Sequence, residues 1–393
     1  MSYSDGAGAP AGALDGIRVV DLTRILAGPF CTQMLADMGA EVIKIEPPAG
    51  DPVRAQGAMV DGYSWYFAQF NRNKKSVVLD LYTDEGKADL VRLLETADIV
   101  VENYRPGVFA KMGFSPERLS EINSRLICAS VNGYGSTGPY VDRPAFDFIA
   151  QAMSGFMAVN GDPDGPPRRA APPVSDLIAG LYCAFGVVSA LEARHRTGRG
   201  QRVESSLTGG LMSMMAYLSA EYFATGRNPS RTGNNHPIVA PYGLFQASDG
   251  EIAVAPSNDT FVERFLNVLS LGDLLQKPEF ATNADRMANR EGLNARINAV
   301  TRERPVEHWI EAINKAGCPA GRVMGLDEVF TDPQVLAQEM VIQSQRPGRT
   351  PIRMTGFPVK LTETPAALRQ PPPELGEHTT EILDTVRKLT KSH

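Results

Sequence analysis

The chain predicts a doubly wound α/β fold with a second, smaller part, on three observations. Strand-like runs alternate with helical segments from Ile17 to Asn132, the texture changes to long helices after Pro173, and 393 residues exceed the usual size of one domain. Strict strand–helix alternation implies parallel strands joined by right-handed crossovers, because each helix must pack back on the sheet. Ligands of such a sheet bind beyond the carboxyl ends of its strands.

Taken in order, IRVVDL reads as a strand, Gly28 to Met38 as a helix and EVIKIE as the next strand. SVVLDL is a strand, DEGKADLVRLLETA a helix with acids at its start, DIVVEN a strand, SPERLSEINS a short helix and LICASVN a strand. Helices are expected over about Ser175–Thr197 and Thr208–Ala224. The Gly/Asn/Pro-rich GRNPSRTGNNHP then marks a boundary. YGLFQASDGEIAVAP carries a hairpin turn, helices dominate from Thr260 to Ala316, and LGEHTTEILDTV is helical. The first sixteen residues, small and Gly/Ala-rich, read as a flexible tail and not a signal peptide.

Composition narrows the function classes. Hydrophobic residues make up 43% and charged ones 21%, an ordinary globular balance. A net charge of −6 without a basic stretch argues against nucleic acid or an anionic membrane as partner. The uncharged apolar run Leu177–Leu191 is shorter than the ~18 residues of a membrane span. Four scattered cysteines with no CxxC spacing suit a reducing compartment, so a soluble, cytoplasmic protein is expected. Five dispersed histidines form no metal motif, and no metal is expected.

Gly133–Gly138, GYGSTG, matches GxGxxG after a strand, but Pro139 and Pro144 replace the helix that a dinucleotide site needs. It reads as a turn that lets backbone pass close to a ligand. TRILAGPF ends the first strand and opens a helix, with Pro29 suited to the first turn. The free N–H groups of such a helix start can receive an anion or a carbonyl oxygen. Cations recur at strand ends and loops: Arg24, Lys74, Lys75, Arg105, Lys111 and Arg143. Converging on one sheet edge, they would suit a ligand with several phosphates.

Asp176, in PPVSD, stands at the mouth of the apolar run. The ordinary reading is a helix cap. The other is a poorly solvated carboxylate, held by backbone N–H groups, that attacks an electrophile; Ser175 could cap and leave it free.

These segments together resemble the family III CoA-transferases, the group of formyl-CoA transferase, carnitine CoA-transferase and alpha-methylacyl-CoA racemase. The likeness rests on LDGIRVVDLTRILAGPFCTQMLADMGAEVIKIE, NRNKKSVVLDL, VENYRPGVFAKMGF, SVNGYGSTGPYVDRPAFDFIAQAMSG, ARHRTGRGQRVESSL and GEHTTEIL, in one order over nearly the whole chain. It implies a Rossmann-like large domain over residues 17–225, a smaller α+β domain over 226–325, and a return to the large domain over 326–393. It also implies an interlocked homodimer, each chain threading the other.

By the same resemblance Asp176 is the nucleophile, forming an acyl-aspartyl anhydride and then an aspartyl-CoA thioester. CoA or acyl-CoA is a substrate, with no tightly bound cofactor. The implied CoA contacts are Arg24, Leu26, Ala27, Lys75, Leu79, Tyr82, Asn103, Tyr104, Arg105, Lys111, Arg143, Phe146 and Asp147, with Ala27 and Gly28 offering N–H groups to the reacting oxygen. Pro47 and Tyr82 replace an arginine and a lysine of formyl-CoA transferase, so other cations, among Arg24, Lys75 and Arg143, must hold the phosphates.

Where family racemases carry a histidine beside an aspartate, this chain has Phe146, which cannot move a proton and so disfavours racemisation. The glycine-repeat lid of formyl-CoA transferase is replaced by GNNHPIVAPYG, which argues against oxalate. The remaining texture resembles members using succinyl-CoA or another dicarboxyl-CoA, with Asn234, Asn235 and His236 placed to meet a distal carboxylate. A non-catalytic acyl-CoA-binding protein is the alternative of another class.

Overall fold

The computed structural model describes residues 11–389. They divide into two compact units. The first comprises residues up to Phe156, Ala170–Ala216 and those from Pro333 on; the second comprises Met157–Arg169 and Tyr217–Asp332. The divisions thus fall at 216/217 and 332/333 instead of 225/226 and 325/326, and residues 157–169 go with the second unit.

The first unit is built on six parallel strands: β1 (Arg18–Asp21), β2 (Glu41–Glu46), β3 (Lys74–Val78), β4 (Ile99–Glu102), β5 (Ile127–Asn132) and β6 (Arg202–Ser206). Their order is β3-β2-β1-β4-β5-β6, so the chain reverses direction across the sheet between β1 and β4. Successive residues face opposite layers. Val19, Val42, Ile99 and Val101 pack under helix α1 (Ala27–Asp37) and helix α3 (Val174–Thr197), whereas Val20, Ile43, Val77 and Val100 meet Leu90, Leu93 and Leu94. The C-terminal helix Thr379–Leu389 joins that second layer through Ile382, Leu383 and Val386, and its Arg387 pairs with Asp89. Chain termini distant in sequence therefore build one core.

Several expectations shift. The strand seen in SVVLDL begins earlier, at Lys74, and ends at Val78, because the Leu79–Leu81 stretch turns into the next helix. β6 went unpredicted; its RVESS offers little apolar signal and sits at the sheet edge with only Ser205 buried. The single helix expected over Thr208–Ala224 is two, Leu207–Ser213 and Ala216–Thr225, broken where Ala216 takes a φ of +47°. Of the expected flexible tail, residues 1–10 lie outside the described residues. Residues 13–16 form a turn held by the Leu14 N–H on the Met38 carbonyl at 2.9 Å.

α3 is 24 residues long and apolar enough, by length and composition, to cross a membrane. Here Ala179, Cys183, Val187 and Ala190 bury one side of it in the core. The second unit has a three-stranded antiparallel sheet, ordered Ala320–Arg322, Glu251–Val254, Gly243–Gln246. Phe245, Phe265, Leu293, Ile297 and Trp309 pack its core.

Candidate active site

A cavity of about 190 Å³ opens beyond the carboxyl ends of β1, β4, β5 and β6. It lies where the strand order reverses, the place a parallel sheet leaves a crevice between loops running to opposite faces. Its wall brings together Arg24–Ala27 after β1, Asn103–Pro106 after β4, Val131–Tyr134 at the end of β5, Val141, Arg143–Phe146, Leu207 and Asp176.

Asp176 reaches it because two helices approach closely. At Gly180, a Cβ would stand 2.5 Å from the Ala27 carbonyl oxygen, so only glycine lets α3 lie this near the start of α1. Asp176, one turn before Gly180, is thereby set in the same wall as Leu26 and Ala27. α1 begins without a side-chain cap and without an acid in its first turn. Among the described residues no acceptor takes the Leu26 or Ala27 N–H.

The helix start that carries Asp176 is capped from outside. Asp147, at the start of α2 (Asp147–Met153), accepts the Ser175 N–H at 3.0 Å and the Ser175 hydroxyl at 2.9 Å through one carboxylate oxygen. Its other oxygen accepts the Gln151 amide at 2.8 Å. Ser175 is therefore the capped residue and not the cap, and Asp176 is left free by a different route from the one expected. No hydrogen bond reaches the Asp176 carboxylate among the described residues, contrary to the expected backbone donors. Burial pushes its pKa up to about 7, and the nearby Asp147 charge adds to the rise.

The predicted CoA contacts separate into two groups. Arg24, Leu26, Ala27, Asn103, Tyr104, Arg105, Arg143 and Phe146 all line the cavity. Arg24, Arg105 and Arg143 have no carboxylate partner among the described residues, and Arg143 lies over the Tyr140 ring at 3.8 Å. Lys75 does not join them: near the amino end of its strand, it pairs with Glu41 at 2.8 Å. Leu79 is a core residue, Tyr82 is 93% exposed in a turn, and Lys111 is exposed at a short helix end; none lines the cavity. Asp147 is buried and occupied with Ser175 and Gln151, and Gly28 is buried behind the wall against Thr23.

Asn234, Asn235 and His236 belong to the second unit, where the Asn235 side-chain oxygen accepts from Asn294 at 3.0 Å and His236 lies against the Tyr217 and Tyr242 rings. Ile25, Asn132 and Leu207 line the cavity without having been singled out, having no chemical signature in the sequence. Tyr134 and Gly133 do line it, within the GYGSTG turn that suggested a close ligand.

Comparison with known proteins places the chain in a class. The family model described as CoA-transferase family III matches residues 14–379, and the chain belongs to that family; it is a CoA-transferase. It is similar to an acetyl-CoA:oxalate CoA-transferase of Acetobacter aceti, 41% identical over 88% of this chain and 90% of that one. It also resembles a succinate–glutarate CoA-transferase of Agrobacterium fabrum, 37% identical over 96% and 97%. Among solved structures, a CaiB/BaiF family protein of Brucella suis superposes with a TM-score of 0.86 at 37% identity, covering 96% of this chain and 100% of that one.

Proposed function

We propose that the enzyme moves CoA from a dicarboxyl-CoA donor, succinyl-CoA foremost, to a carboxylic acid, with Asp176 as the covalent relay. One observation carries this reading: a half-buried carboxylate, with no hydrogen-bond donor among the described residues, lines a cavity beside helix N–H groups that no acceptor takes there and three guanidinium groups without a carboxylate partner there. An Asp176 oxygen attacks the thioester carbonyl, and the C–S bond breaks to release CoA thiolate and leave an acyl-aspartyl anhydride. The thiolate then attacks the aspartyl carbonyl, freeing the donor acid as its carboxylate and leaving an aspartyl-CoA thioester. The acceptor carboxylate attacks that thioester, expelling CoA thiolate and forming a second anhydride. Attack of the thiolate on the acceptor's acyl carbon returns Asp176 and yields the new acyl-CoA.

The Leu26 and Ala27 N–H groups are assigned to the developing oxyanion. Weak solvation makes the Asp176 carboxylate a stronger nucleophile and keeps water from the anhydride. Arg24, Arg105 and Arg143 are assigned to the phosphates of CoA.

Two relatives named for dicarboxylic acids support a dicarboxylate as acceptor or donor. The argument against oxalate from the missing glycine repeat loses its force beside a relative of 41% identity named for that acid. Asn234, Asn235 and His236 are the residues proposed to meet the acid's second carboxylate. A cytoplasmic, interlocked homodimer completes the reading. Association of chains, though not the compartment or the threading, is supported by apolar side chains of α2 and α3 that the single chain leaves exposed, including Ile149, Met153, Leu181 and Phe185.

The test is thioester exchange by the purified enzyme, with succinyl-CoA, glutaryl-CoA, oxalyl-CoA and acetyl-CoA as donors over a panel of acids and the products read by mass spectrometry. Hydroxylamine added during turnover should mark Asp176. Absence of exchange from every dicarboxyl-CoA overturns the substrate assignment. A particle mass equal to the 42.5 kDa of one chain overturns the dimer.

A further inference from the structure

The loop Arg24–Leu26, which lines one wall of the cavity, holds a residue in an unfavourable conformation. Ile25 has a φ of +68°, in the left-handed region where a β-branched side chain crowds its own backbone. Such a conformation persists only when its surroundings impose it, and here they do. The Ile25 N–H is shared between the two carboxylate oxygens of Asp51, at 3.2 and 3.3 Å. Asp51 is in turn gripped by the fully buried ammonium of Lys44 at 2.9 Å, and the same ammonium donates to the Thr23 carbonyl at 2.8 Å. On the other side, Asn103 accepts the Arg24 N–H at 3.0 Å and donates to the Arg24 carbonyl at 2.8 Å.

Asp51 also has an ordinary duty, accepting the Val53 N–H at 3.2 Å to start the short helix Pro52–Ala55. That duty does not call for contact with Ile25, nor for a buried lysine that bridges to the cavity loop.

We propose that Asp51 is a positioning residue for CoA transfer: with Lys44 it clamps Ile25 in the left-handed conformation and so sets the wall of the CoA cavity that carries Leu26 and Ala27. This rests on the reading of that cavity as the CoA site. Asp51 itself touches no substrate; its effect passes through the backbone of residue 25.

The experiment compares Asp51→Asn in two backgrounds, the natural chain and Ile25→Gly, with CoA itself as the titrant in calorimetry and succinyl-CoA in the exchange assay. Glycine adopts a positive φ without strain, so it makes the clamp largely unnecessary. In the natural background Asp51→Asn should weaken CoA binding at least about tenfold and raise the succinyl-CoA KM in parallel. In the Ile25→Gly background the same substitution should weaken binding by about threefold or less, since the two positions are coupled.

A folded Asp51→Asn enzyme with unchanged Kd and KM overturns the proposal, as does a loss of equal size in both backgrounds. If Asp51→Asn is insoluble, the double variant with Ile25→Gly should be recovered folded; insolubility of both would show that Asp51 serves folding alone. Calorimetry with CoA does not depend on the nucleophile. Exchange retained by Asp176→Ala would therefore sink the covalent reading without touching this one, whereas CoA bound equally well by a variant with Arg24, Arg105 and Arg143 replaced would remove the cavity assignment beneath both.

Discussion

Asp21, fully buried, and Asp176, half-buried, are two carboxylates at the same edge of one sheet, and their surroundings drive them apart. Burial works to raise the pKa of Asp21, yet Lys74, Lys44 and the hydroxyls of Thr23 and Thr32 outweigh it and hold the carboxyl below its ordinary value. Among the described residues Asp176 has no hydrogen-bond donor and no ion-pair partner, so partial burial and the Asp147 charge lift it to about 7. Burial by itself does not decide whether a carboxylate is structural or reactive; the donors packed around it do. Asp21 ties β1 to α1 and β3 through Thr32 at 2.7 Å and Lys74 at 3.1 Å, whereas Asp176 is left poorly satisfied, as the proposed nucleophile requires.

The largest effect that this contrast predicts is on chemistry. Asp176→Asn should lower exchange by on the order of 10³-fold or more while CoA still binds. It should also stabilise the fold at pH 8. With a folded pKa raised from 3.8 to about 7, the native state holds this proton more tightly than the unfolded chain, so stability falls as pH rises through that interval. The gain in melting temperature from asparagine should be full above pH 7 and vanish near pH 4. A variant no more stable at pH 8 than the natural enzyme would show Asp176 to be satisfied, like Asp21.

Asp21→Asn should do the opposite. It leaves the buried Lys74 ammonium without its carboxylate and should cost about 3–5 kcal/mol in urea unfolding. Because the folded pKa of Asp21 is lowered, its contribution is complete above the unfolded value of 3.8 and is lost as pH falls through the folded value below it. An equilibrium unfolding series down to pH 3 checks the sign.

Gly180→Ala sharpens the geometric side of the comparison. A methyl group 2.5 Å from the Ala27 carbonyl must push α3 off α1, costing about 1–3 kcal/mol and separating Asp176 from the Ala27 N–H. The exchange rate per folded molecule should therefore fall along with stability; loss of stability alone would place the oxyanion donor elsewhere.

The smallest effect is expected from Asp147→Asn. The amide oxygen can still accept from Ser175, so the loss should stay near ~1 kcal/mol. Removing the charge lowers the Asp176 pKa, and the acid limb of the kcat/KM profile, which should lie near pH 7 in the natural enzyme, should move to lower pH. A limb that stays in place would mean that burial accounts for the whole of the rise.

Much of this arrangement can be read along the chain, and the rest cannot, for identifiable reasons. EVIKIE and LICASVN announced themselves because consecutive apolar residues in short runs fit strands covered on both faces. RVESS did not, since an edge strand with polar side chains lacks that pattern. Arg24, Arg105 and Arg143 are legible as cations at strand ends and loops, where a parallel sheet gathers its ligands, whereas Asn103 is marked only by the family resemblance. Lys75 carries the same charge but pairs with Glu41 across the β2–β3 register, a partnership no local pattern reveals.

The sequence by itself determined the strand–helix alternation, the family and the identity of the carboxylate at the head of the apolar helix, because periodicity and motif are properties of neighbours in the chain. Only the tertiary structure decided that Asp147 caps Ser175 from 28 residues away, that Gly180 seats α3 on Ala27, and that Asp176 is left without a donor among the described residues. The physical reason is that a carboxylate's charge state depends on the donors, cations and water within a few ångströms, and those come from segments that only folding brings together.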